Sequence, residues 1–374
     1  MKRELDFPKN LKLYRKKMGL TRKSLAQKLC YSEKSVEKWE SGDAVPPLSI
    51  ICELSEIFGI SVDRLIYKEH QNIKYYLGID GGATKTAFLL EDSNGNTLAF
   101  CELGSSNPND VGIKECESVL RSGIHEVCSD VDKSLVAVFA GISGGGLSGN
   151  NADIIKKILS GFGFGFVANG SDVENAIELC IGEKDGIAII AGTGIIAFAQ
   201  KGGKRIRCGG WGYLIDSAGS GYNLGRDALE AALRSIDQRD GDTLITKLLE
   251  ERLGTTIPDA IPTIYNGGKR FVACLATCVF DAAKQGDSTA KNILKRNCAY
   301  IADMIECLIK NFESTTVPVV ICGGLAHEKD LLGEYIKSAL STKINLQFNN
   351  DPMVKGAISS AKKLSQNSSL CEKG

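Results

Sequence analysis

Hydrophobic positions recur with a helical period along the first seventy residues of the chain. Leu11, Tyr14 and Met18 lie three and four positions apart, so they share one face of a helix. Thr21 and Ser32 can each cap a further helix, because a hydroxyl at the start of a helix accepts a hydrogen bond from the first turn. The pattern predicts a bundle of short helices over residues 1–70.

Beyond this region the pattern changes to short apolar runs of strand type that end in glycine. One run leads into DGGATKT at residues 80–86, and another leads into GTG at residues 192–194. A strand pattern follows each turn, so each predicts a β-hairpin, whereas a dinucleotide-binding turn is followed by a helix. A third run ends in Gly323-Gly324. Residues 68–74 have no apolar period and predict a linker.

The charge distribution separates the two regions. The 374 residues contain 45 Lys and Arg and 45 Asp and Glu, so the total is zero. Residues 1–70 contain 14 basic and 10 acidic residues, a net charge of +4, and the remainder contains 31 and 35, a net charge of −4. A basic first region is suited to a polyanionic partner, and an acidic remainder discourages non-specific contact with nucleic acid.

Composition argues against several other classes of protein. The apolar run Gly186–Gln200 is too short to span a bilayer, and no apolar stretch follows the first residues. We therefore expect neither a membrane partner nor a signal peptide. The 13 cysteines are odd in number and form no CxxC pair, which favours reduced thiols over disulfides or a metal cluster. The three histidines have no spacing typical of a triad or a metal site. We expect a cytoplasmic protein.

The string LTRKSLAQKLCYSEKSVEKWESGDAVPPLSIICELSEIFGISVDRLI resembles the phage-repressor (XRE/Cro-type) helix-turn-helix family. The resemblance implies double-stranded DNA as a partner, with the helix from Ser32 to Glu40 in the major groove. It also implies a homodimer on a palindromic operator. Cys30 stands where the family often has Gly. The residues expected to face bases or phosphates are Arg22, Lys23, Lys28, Ser32, Lys34, Ser35 and Lys38. A helical module that binds another protein is the alternative.

The remaining motifs resemble those of a phosphoryl-transfer family. Two glycine hairpins and a Gly-Gly turn are typical of the two-lobed, actin-like (ribonuclease-H-like, acetate-kinase/hexokinase/actin) ATPase fold. The stretch from about residue 76 to 364 resembles the BadF/BadG-type ATPases, and within them N-acetylglucosamine kinase. The matching strings are DGGATKT, GSSNPNDVG, AGISGGG, NGSDVENA, AGTG, CGGWGYLIDSAGSGYNLGRDAL, ICGGL and GAISSA. We therefore expect an all-α domain followed by an α/β ATPase, with lobes at 75–192 and 193–366 and a flexible tail at 367–374.

The resemblance implies a role for particular residues. Asp172 matches the catalytic base, and Asp80 matches the residue that holds Mg²⁺ through water. The residues expected to bind ATP and its phosphates are Asp80, Gly81, Gly82, Thr84, Lys85, Gly192, Thr193, Gly194, Gly323 and Gly324. Those expected to bind an amino sugar are Asn107, Ser143, Gly144, Gly210 and Trp211.

Two departures from the kinase pattern leave alternatives open. Ser217 stands where the kinases have an acidic sugar contact, and Asp216 is displaced from that position by one residue. Ile195 stands where the family usually has Ser. The chain is therefore either an active kinase that also binds DNA or a transcriptional regulator whose kinase-like region senses ligand without turnover. An activator-type ATPase of 2-hydroxyacyl-CoA dehydratases is a third alternative.

Overall fold

A computed structural model describes residues 5–67, 73–82, 84–145, 150–314 and 316–370 of the chain. Internal contacts divide the protein into two units, residues 1–72 and 73–374. This division falls within the predicted linker, of which residues 68–72 lie outside the described residues. Each unit has a hydrophobic core of its own.

Over residues 5–67 the first unit is a bundle of five helices: α1 (Phe7–Lys17), α2 (Arg22–Lys28), α3 (Glu33–Ser41), α4 (Leu48–Phe58) and α5 (Val62–Ile66). The predicted caps are present, because the Thr21 and Ser32 side chains accept hydrogen bonds from the backbone N–H groups of Ser24 and Ser35. Leucine and valine side chains from all five helices meet in a core with no solvent exposure: Leu11, Leu25, Val36, Leu54 and Leu65.

The turn between α2 and α3 holds a residue in the left-handed region. Cys30 has a φ of 56°, a conformation that glycine adopts without the steric cost that a Cβ introduces. The backbone N–H of Tyr31 donates to the carbonyl of Ala26 at 2.9 Å, and the Tyr31 ring lies 5.1 Å from the Trp39 ring. These contacts hold the turn, so the departure noted in the sequence is accommodated.

The described residues of the second unit form two five-stranded sheets. In the first, the order β3-β2-β1-β4-β5 is formed by β1 (Tyr75–Gly81), β2 (Lys85–Asp92), β3 (Thr97–Gly104), β4 (Val136–Ile142) and β5 (Phe166–Gly170). In the second, the order β10-β9-β6-β7-β8 is formed by β6 (Gly186–Ala191), β7 (Ile195–Lys201), β8 (Lys204–Cys208), β9 (Pro318–Cys322) and β10 (Asn345–Asn349). Each sheet joins an antiparallel meander to a parallel pair of strands.

Helices pack around the two sheets. They are α6 (Pro108–Val127), α7 (Asn151–Ser160), α8 (Asp172–Cys180), α9 (Gly221–Ile236), α10 (Leu244–Leu253), α11 (Ile257–Cys274), α12 (Ala276–Lys284), α13 (Ser288–Ile309), α14 (Lys329–Ala339) and α15 (Val354–Leu370). Within the described ranges, no helix has both the length and the hydrophobicity needed to cross a bilayer.

The two sheets do not follow the expected lobe boundary. A division at residues 192 and 193 cuts between β6 and β7, which are hydrogen-bonded neighbours in the second sheet. Helix α15 comes after the second sheet but packs against β1 and β4 of the first. Gly78 permits this approach, because a Cβ there would lie 2.7 Å from the Val354 carbonyl oxygen. The helix continues through Leu370, inside the expected tail, of which residues 371–374 lie outside the described residues.

Candidate active site and DNA-facing helix

A cleft of about 540 Å³ lies in the second unit and is lined by both halves of its fold. The first half contributes the end of β1, the turn after it and the start of α8. The second half contributes the β6–β7 turn, the loop after β8 and part of α11. Predicted site residues that line the cleft are Asp80, Gly82, Thr84, Ser143, Asp172, Gly192, Thr193, Gly194 and Gly210.

Backbone hydrogen bonds hold the two glycine turns in shape. The Gly82 N–H donates to the Lys85 carbonyl at 2.9 Å and closes the first hairpin. In the second hairpin, the carbonyl of Gly192 accepts from Gly221 N–H at 2.8 Å. The carbonyl of Thr193 accepts from Tyr222 N–H at 3.1 Å, so the start of α9 supports this turn. Thr84 and Thr193 lie on these turns and line the cleft, where a threonine hydroxyl can donate to a phosphate oxygen.

Two carboxylates share the first half of the cleft. Burial raises the pKa of Asp80 to about 6; a hydrogen bond from Asn175 opposes the rise, and the nearby charge of Asp172 adds to it. Burial also raises the pKa of Asp172, against hydrogen bonds from the Val173 N–H and the Ser143 hydroxyl. The two acids are therefore close enough to interact, and both are poorly solvated.

This donor set fits a magnesium ion. Carboxylate oxygens are ligands that Mg²⁺ prefers, and a divalent cation would relieve the repulsion between Asp80 and Asp172. No group of three or more His, Cys, Asp or Glu side chains with metal-binding geometry occurs among the residues that the structure describes. An ion held by Asp80 would therefore keep several water or phosphate ligands, as Mg²⁺ commonly does.

Seven predicted binding residues do not line the cleft. They are Gly81, Lys85, Asn107, Gly144, Trp211, Gly323 and Gly324. The Lys85 ammonium pairs with Glu102 on β3, and its positive charge is still near enough to Asp80 to lower the pKa of that carboxyl. Gly323, with a φ of 95°, is needed for close packing, because a Cβ there would lie 2.6 Å from the Ala191 carbonyl oxygen.

The Asn107 side chain caps the N-terminus of α6. Its Oδ1 accepts from the Asn109 N–H at 3.0 Å, and its Nδ2 donates to Asp110 at 2.6 Å. Gly144 packs directly on it, because a Cβ at Gly144 would lie 2.3 Å from Asn107 Oδ1. Asn107 and Gly144 therefore contact each other outside the cleft lining, whereas Ser143, the residue before Gly144, lines the cleft.

Trp211 lies on an exposed loop. The residue is 66% exposed, and the Arg207 guanidinium stacks 4.0 Å from the ring centroid. The Trp211 backbone N–H donates to Asp216 Oδ2 at 3.2 Å. Asp216 and Ser217 both line the cleft, so the one-residue displacement seen in the sequence still leaves a carboxylate on that wall.

Two cations in the cleft were missed by the sequence reasoning. Lys269 and Arg270 line it from α11, just after Gly268, whose φ of 61° and ψ of −162° interrupt the helix. The Lys269 Nζ lies 5.7 Å from the centroid of the Tyr213 ring. The signal was the Gly267-Gly268 pair inside a helical pattern, followed at once by two basic residues.

The predicted DNA-facing side chains divide into exposed and paired groups. Lys23, Lys28, Lys34 and Lys38 are exposed, whereas Ser32 and Ser35 bond to each other at 2.8 Å at the start of α3. The Arg22 guanidinium donates to Glu40 at 2.8 Å and lies 3.5 Å from Glu37. Arg22 therefore already has acidic partners within the bundle, and the four lysines provide the open positive charge.

Comparison with known proteins identifies the second unit. Residues 77–361 match the sequence profile of the BadF/BadG/BcrA/BcrD ATPase family. The chain belongs to this family. Residues 11–65 match a helix-turn-helix family profile, which implies DNA binding. Both resemblances drawn from the sequence are thus confirmed, and membership of an ATPase family implies that the protein binds ATP.

Several relatives of this BadF/BadG-type protein are sugar kinases. An N-acetylmuramic acid/N-acetylglucosamine kinase of Clostridium acetobutylicum is 29% identical over 279 residues, 72% of this chain and 91% of the relative. An N-acetyl-D-glucosamine kinase of Dictyostelium discoideum is 30% identical over 286 residues, 71% of this chain and 89% of the relative.

The fold comparison agrees with these relatives. A structure assigned to N-acetylglucosamine kinase from Chromobacterium violaceum superposes with a TM-score of 0.61 at 24% identity, covering 78% of this chain and 99% of the other. The predicted fold, a helical domain followed by a two-lobed actin-like ATPase, is therefore confirmed.

Proposed function

We propose that the protein is a DNA-binding transcriptional regulator whose ATPase unit phosphorylates N-acetylglucosamine or a related amino sugar with ATP. One observation carries the proposal: two partly buried carboxylates, Asp80 and Asp172, converge with the Gly192–Gly194 turn on a single cleft. The kinase relatives support the substrate class, and the helix-turn-helix unit supports the regulatory role.

In the proposed reaction, Asp172 is the general base. A sugar hydroxyl attacks the γ-phosphorus of ATP, the bond from that phosphorus to the bridging oxygen breaks, and the hydroxyl proton moves to the Asp172 carboxylate. ADP leaves with the electrons of the broken bond. Burial, which raises the pKa of Asp172, makes the carboxylate a better proton acceptor. Asp172 is the first residue of α8, so a rigid element positions it.

The remaining residues hold and orient the two substrates. Asp80 would hold Mg²⁺, which when bound neutralises phosphate charge. Thr84 and Thr193 would donate hydrogen bonds to phosphate oxygens. Ser143 and Asp216 would bind sugar hydroxyls from opposite halves of the cleft. Phosphoryl transfer depends largely on such positioning, because little covalent work is left to the protein.

Lys269 and Arg270 would add positive charge on the nucleotide side. The substitution Lys269→Ala with Arg270→Ala should raise the KM for ATP by about 10²- to 10⁴-fold, because each of the two charge-assisted hydrogen bonds contributes about 1.5–3 kcal/mol. The KM for the sugar should stay within a small factor of the wild-type value. Steady-state kinetics with each substrate varied would measure this. The exposed Lys291→Ala on α13 is a matched control, and an unchanged KM for ATP in the double variant would remove these cations from the nucleotide site.

The DNA half of the proposal rests on the exposed lysines of α2 and α3. Replacing Lys23 and Lys28 with Ala should weaken binding to all DNA sequences alike and lower the slope of log affinity against log salt by about 2, since each lost phosphate contact removes about one unit. A mobility-shift series over several salt concentrations would measure this slope. The double substitution of Lys156 and Lys157 on α7 makes the same charge change in the other unit. An equal loss in that control would locate DNA binding elsewhere.

A second candidate function is a regulator that senses sugar without turnover. Ser217 favours it, because this buried hydroxyl stands on the cleft where the kinases have an acid. Ile195, also buried on the cleft wall, cannot donate to a phosphate. Sugar binding by calorimetry without any ATP turnover would select this function. In either case we propose a homodimer on a palindromic operator, in which ligand-induced closure of the cleft changes DNA affinity.

A further inference from the structure

Asn175 connects the two carboxylates of the cleft. It lies one helical turn after Asp172 on α8, and its side chain is completely buried. Its Nδ2 donates to Asp80 Oδ1 at 2.7 Å, to the Ile79 carbonyl at 3.3 Å and to the Gly141 carbonyl at 3.2 Å. One amide therefore ties α8 to the ends of the parallel strands β1 and β4.

The backbone around this amide is shaped to receive it. A Cβ at Gly141 would lie 2.3 Å from Asn175 Oδ1, and a Cβ at Gly356 would lie 1.9 Å from the Asn175 carbonyl oxygen. Neither position has room for a larger residue. The packing of Asn175 therefore explains why glycine occupies position 141 in the AGISGGG motif and position 356 in the GAISSA motif.

The buried Asn175 amide lowers the stability of the fold. Asn175 Oδ1 is buried and has no hydrogen-bond partner among the described residues. A half-satisfied buried amide is less favourable than an apolar side chain of the same shape. A flipped amide would place Oδ1 against the Asp80 carboxylate, so the orientation that donates to Asp80 is the favourable one. Folding stability alone does not explain the unpaired Asn175 Oδ1. The hydrogen bond that fixes the Asp80 carboxylate does.

We infer that Asn175 is a positioning residue: it holds Asp80 in one rotamer relative to the helix that carries Asp172, so that the pair receives the metal–nucleotide complex in a defined geometry. The inference rests on the proposed function for its chemistry. It concerns the metal-dependent part of nucleotide binding, which is measurable whether or not a sugar is phosphorylated.

The test uses Asn175→Leu in the full chain, because leucine has nearly the shape of asparagine and no donor. Calorimetry with a non-hydrolysable ATP analogue would give the affinity in Mg²⁺ and in EDTA, and the ratio of the two is the metal enhancement. We expect the variant to lose about 10- to 100-fold of this enhancement, the range for a hydrogen bond to a charged group. Its affinity in EDTA should be nearly unchanged. If the enzyme turns over, kcat of the variant should fall, and the KM for the sugar should stay at the wild-type value.

A matched control separates positioning from packing. Gln200 is also a buried amide, and its Nε2 donates to the Gly182 and Lys184 carbonyls at 2.8 and 3.2 Å, away from the cleft lining. Gln200→Met should leave the metal enhancement at the wild-type value. If the leucine variant does not fold, Asn175→Ser is the substitute. Its hydroxyl lies one bond nearer the backbone than the asparagine Nδ2, so it should not reach Asp80, and the same loss of metal enhancement is expected.

Three outcomes would overturn the inference: an unchanged enhancement in the Asn175 variants, an equal loss in Gln200→Met, or a wild-type affinity that does not respond to Mg²⁺. A different outcome bears on the proposed function alone. If the wild type shows a metal enhancement that depends on Asn175 but phosphorylates no amino sugar, the positioning role stands and the kinase proposal fails.

Discussion

Asp172→Asn should lower kcat for amino-sugar phosphorylation by about 10²- to 10⁴-fold, the usual contribution of a general base. The amide keeps the size and shape of the carboxylate but cannot take the hydroxyl proton. The backbone at this position is stabilised independently, because Ser171 and Glu174 form a capping box at the start of α8. The loss should therefore fall on kcat, with little change in the KM for either substrate. Coupled detection of ADP, with a panel of amino sugars, would measure it.

The control for this prediction is Asp153→Asn on α7, an exposed carboxylate outside the cleft lining, which should behave as the wild type. A wild-type kcat in Asp172→Asn would show that another group takes the proton. Absence of sugar-dependent turnover in the wild type, with sugar binding retained, would instead favour the sensing function.

Glu40→Ala should destabilise the helix-turn-helix unit by about 3–5 kcal/mol, the cost of removing one partner from a buried ion pair. The Glu40 side chain is 1% exposed and bonds with Arg15, whose side chain is 9% exposed, and with Arg22. Without Glu40, the buried Arg15 charge loses its partner. A small domain has little stability in reserve, so DNA binding should be lost as well.

The fluorescence of Trp39, which is buried in this unit, would report its unfolding in urea. Trp211→Phe would remove the other tryptophan signal. Glu37→Ala is the matched control: it makes the same charge change at a 59% exposed side chain near Arg22 and should cost under about 1 kcal/mol. Equal destabilisation by both variants would contradict a special role for the buried carboxylate.

The pH dependence of this unit follows from the same ion pairs. Burial alone would raise the pKa of Glu40, but hydrogen bonds from Arg15 and Arg22 outweigh it and hold the pKa below the usual value of 4.5. The stabilisation is therefore complete above the unfolded-state pKa and is lost as the pH falls through the lower folded-state value. The free energy of unfolding of the wild type, measured in urea, should fall over this acid range. That of Glu40→Ala should change less.

The sequence was informative where the determining physics is local. Helix caps such as Thr21 and Ser32, the apolar period of the bundle and the glycine turns at residues 80–86 and 192–194 all depend on neighbouring residues. The two types of domain and the placement of Asp80 and Asp172 on one cleft followed from these local signals together with the family resemblance.

Partners that lie far apart in the chain could not be predicted in this way. Lys85 faces Glu102 because β2 and β3 are paired, and Arg22 faces Glu40 because two helices cross. Lys269 enters the cleft because Gly268 breaks its helix, and no periodicity reveals which wall that helix covers.

The sequence by itself therefore determined the domain types, the glycine turns and the family. The tertiary structure decided which side chains are free to meet a ligand. In the tertiary structure β6 lies in the second sheet, and α15 packs against the first sheet. Asn175 donates a hydrogen bond to Asp80, which is 95 positions away in the sequence. The physical reason is that conformational preferences act over a few residues, whereas hydrogen bonds and ion pairs select their partners only after strands and helices have packed.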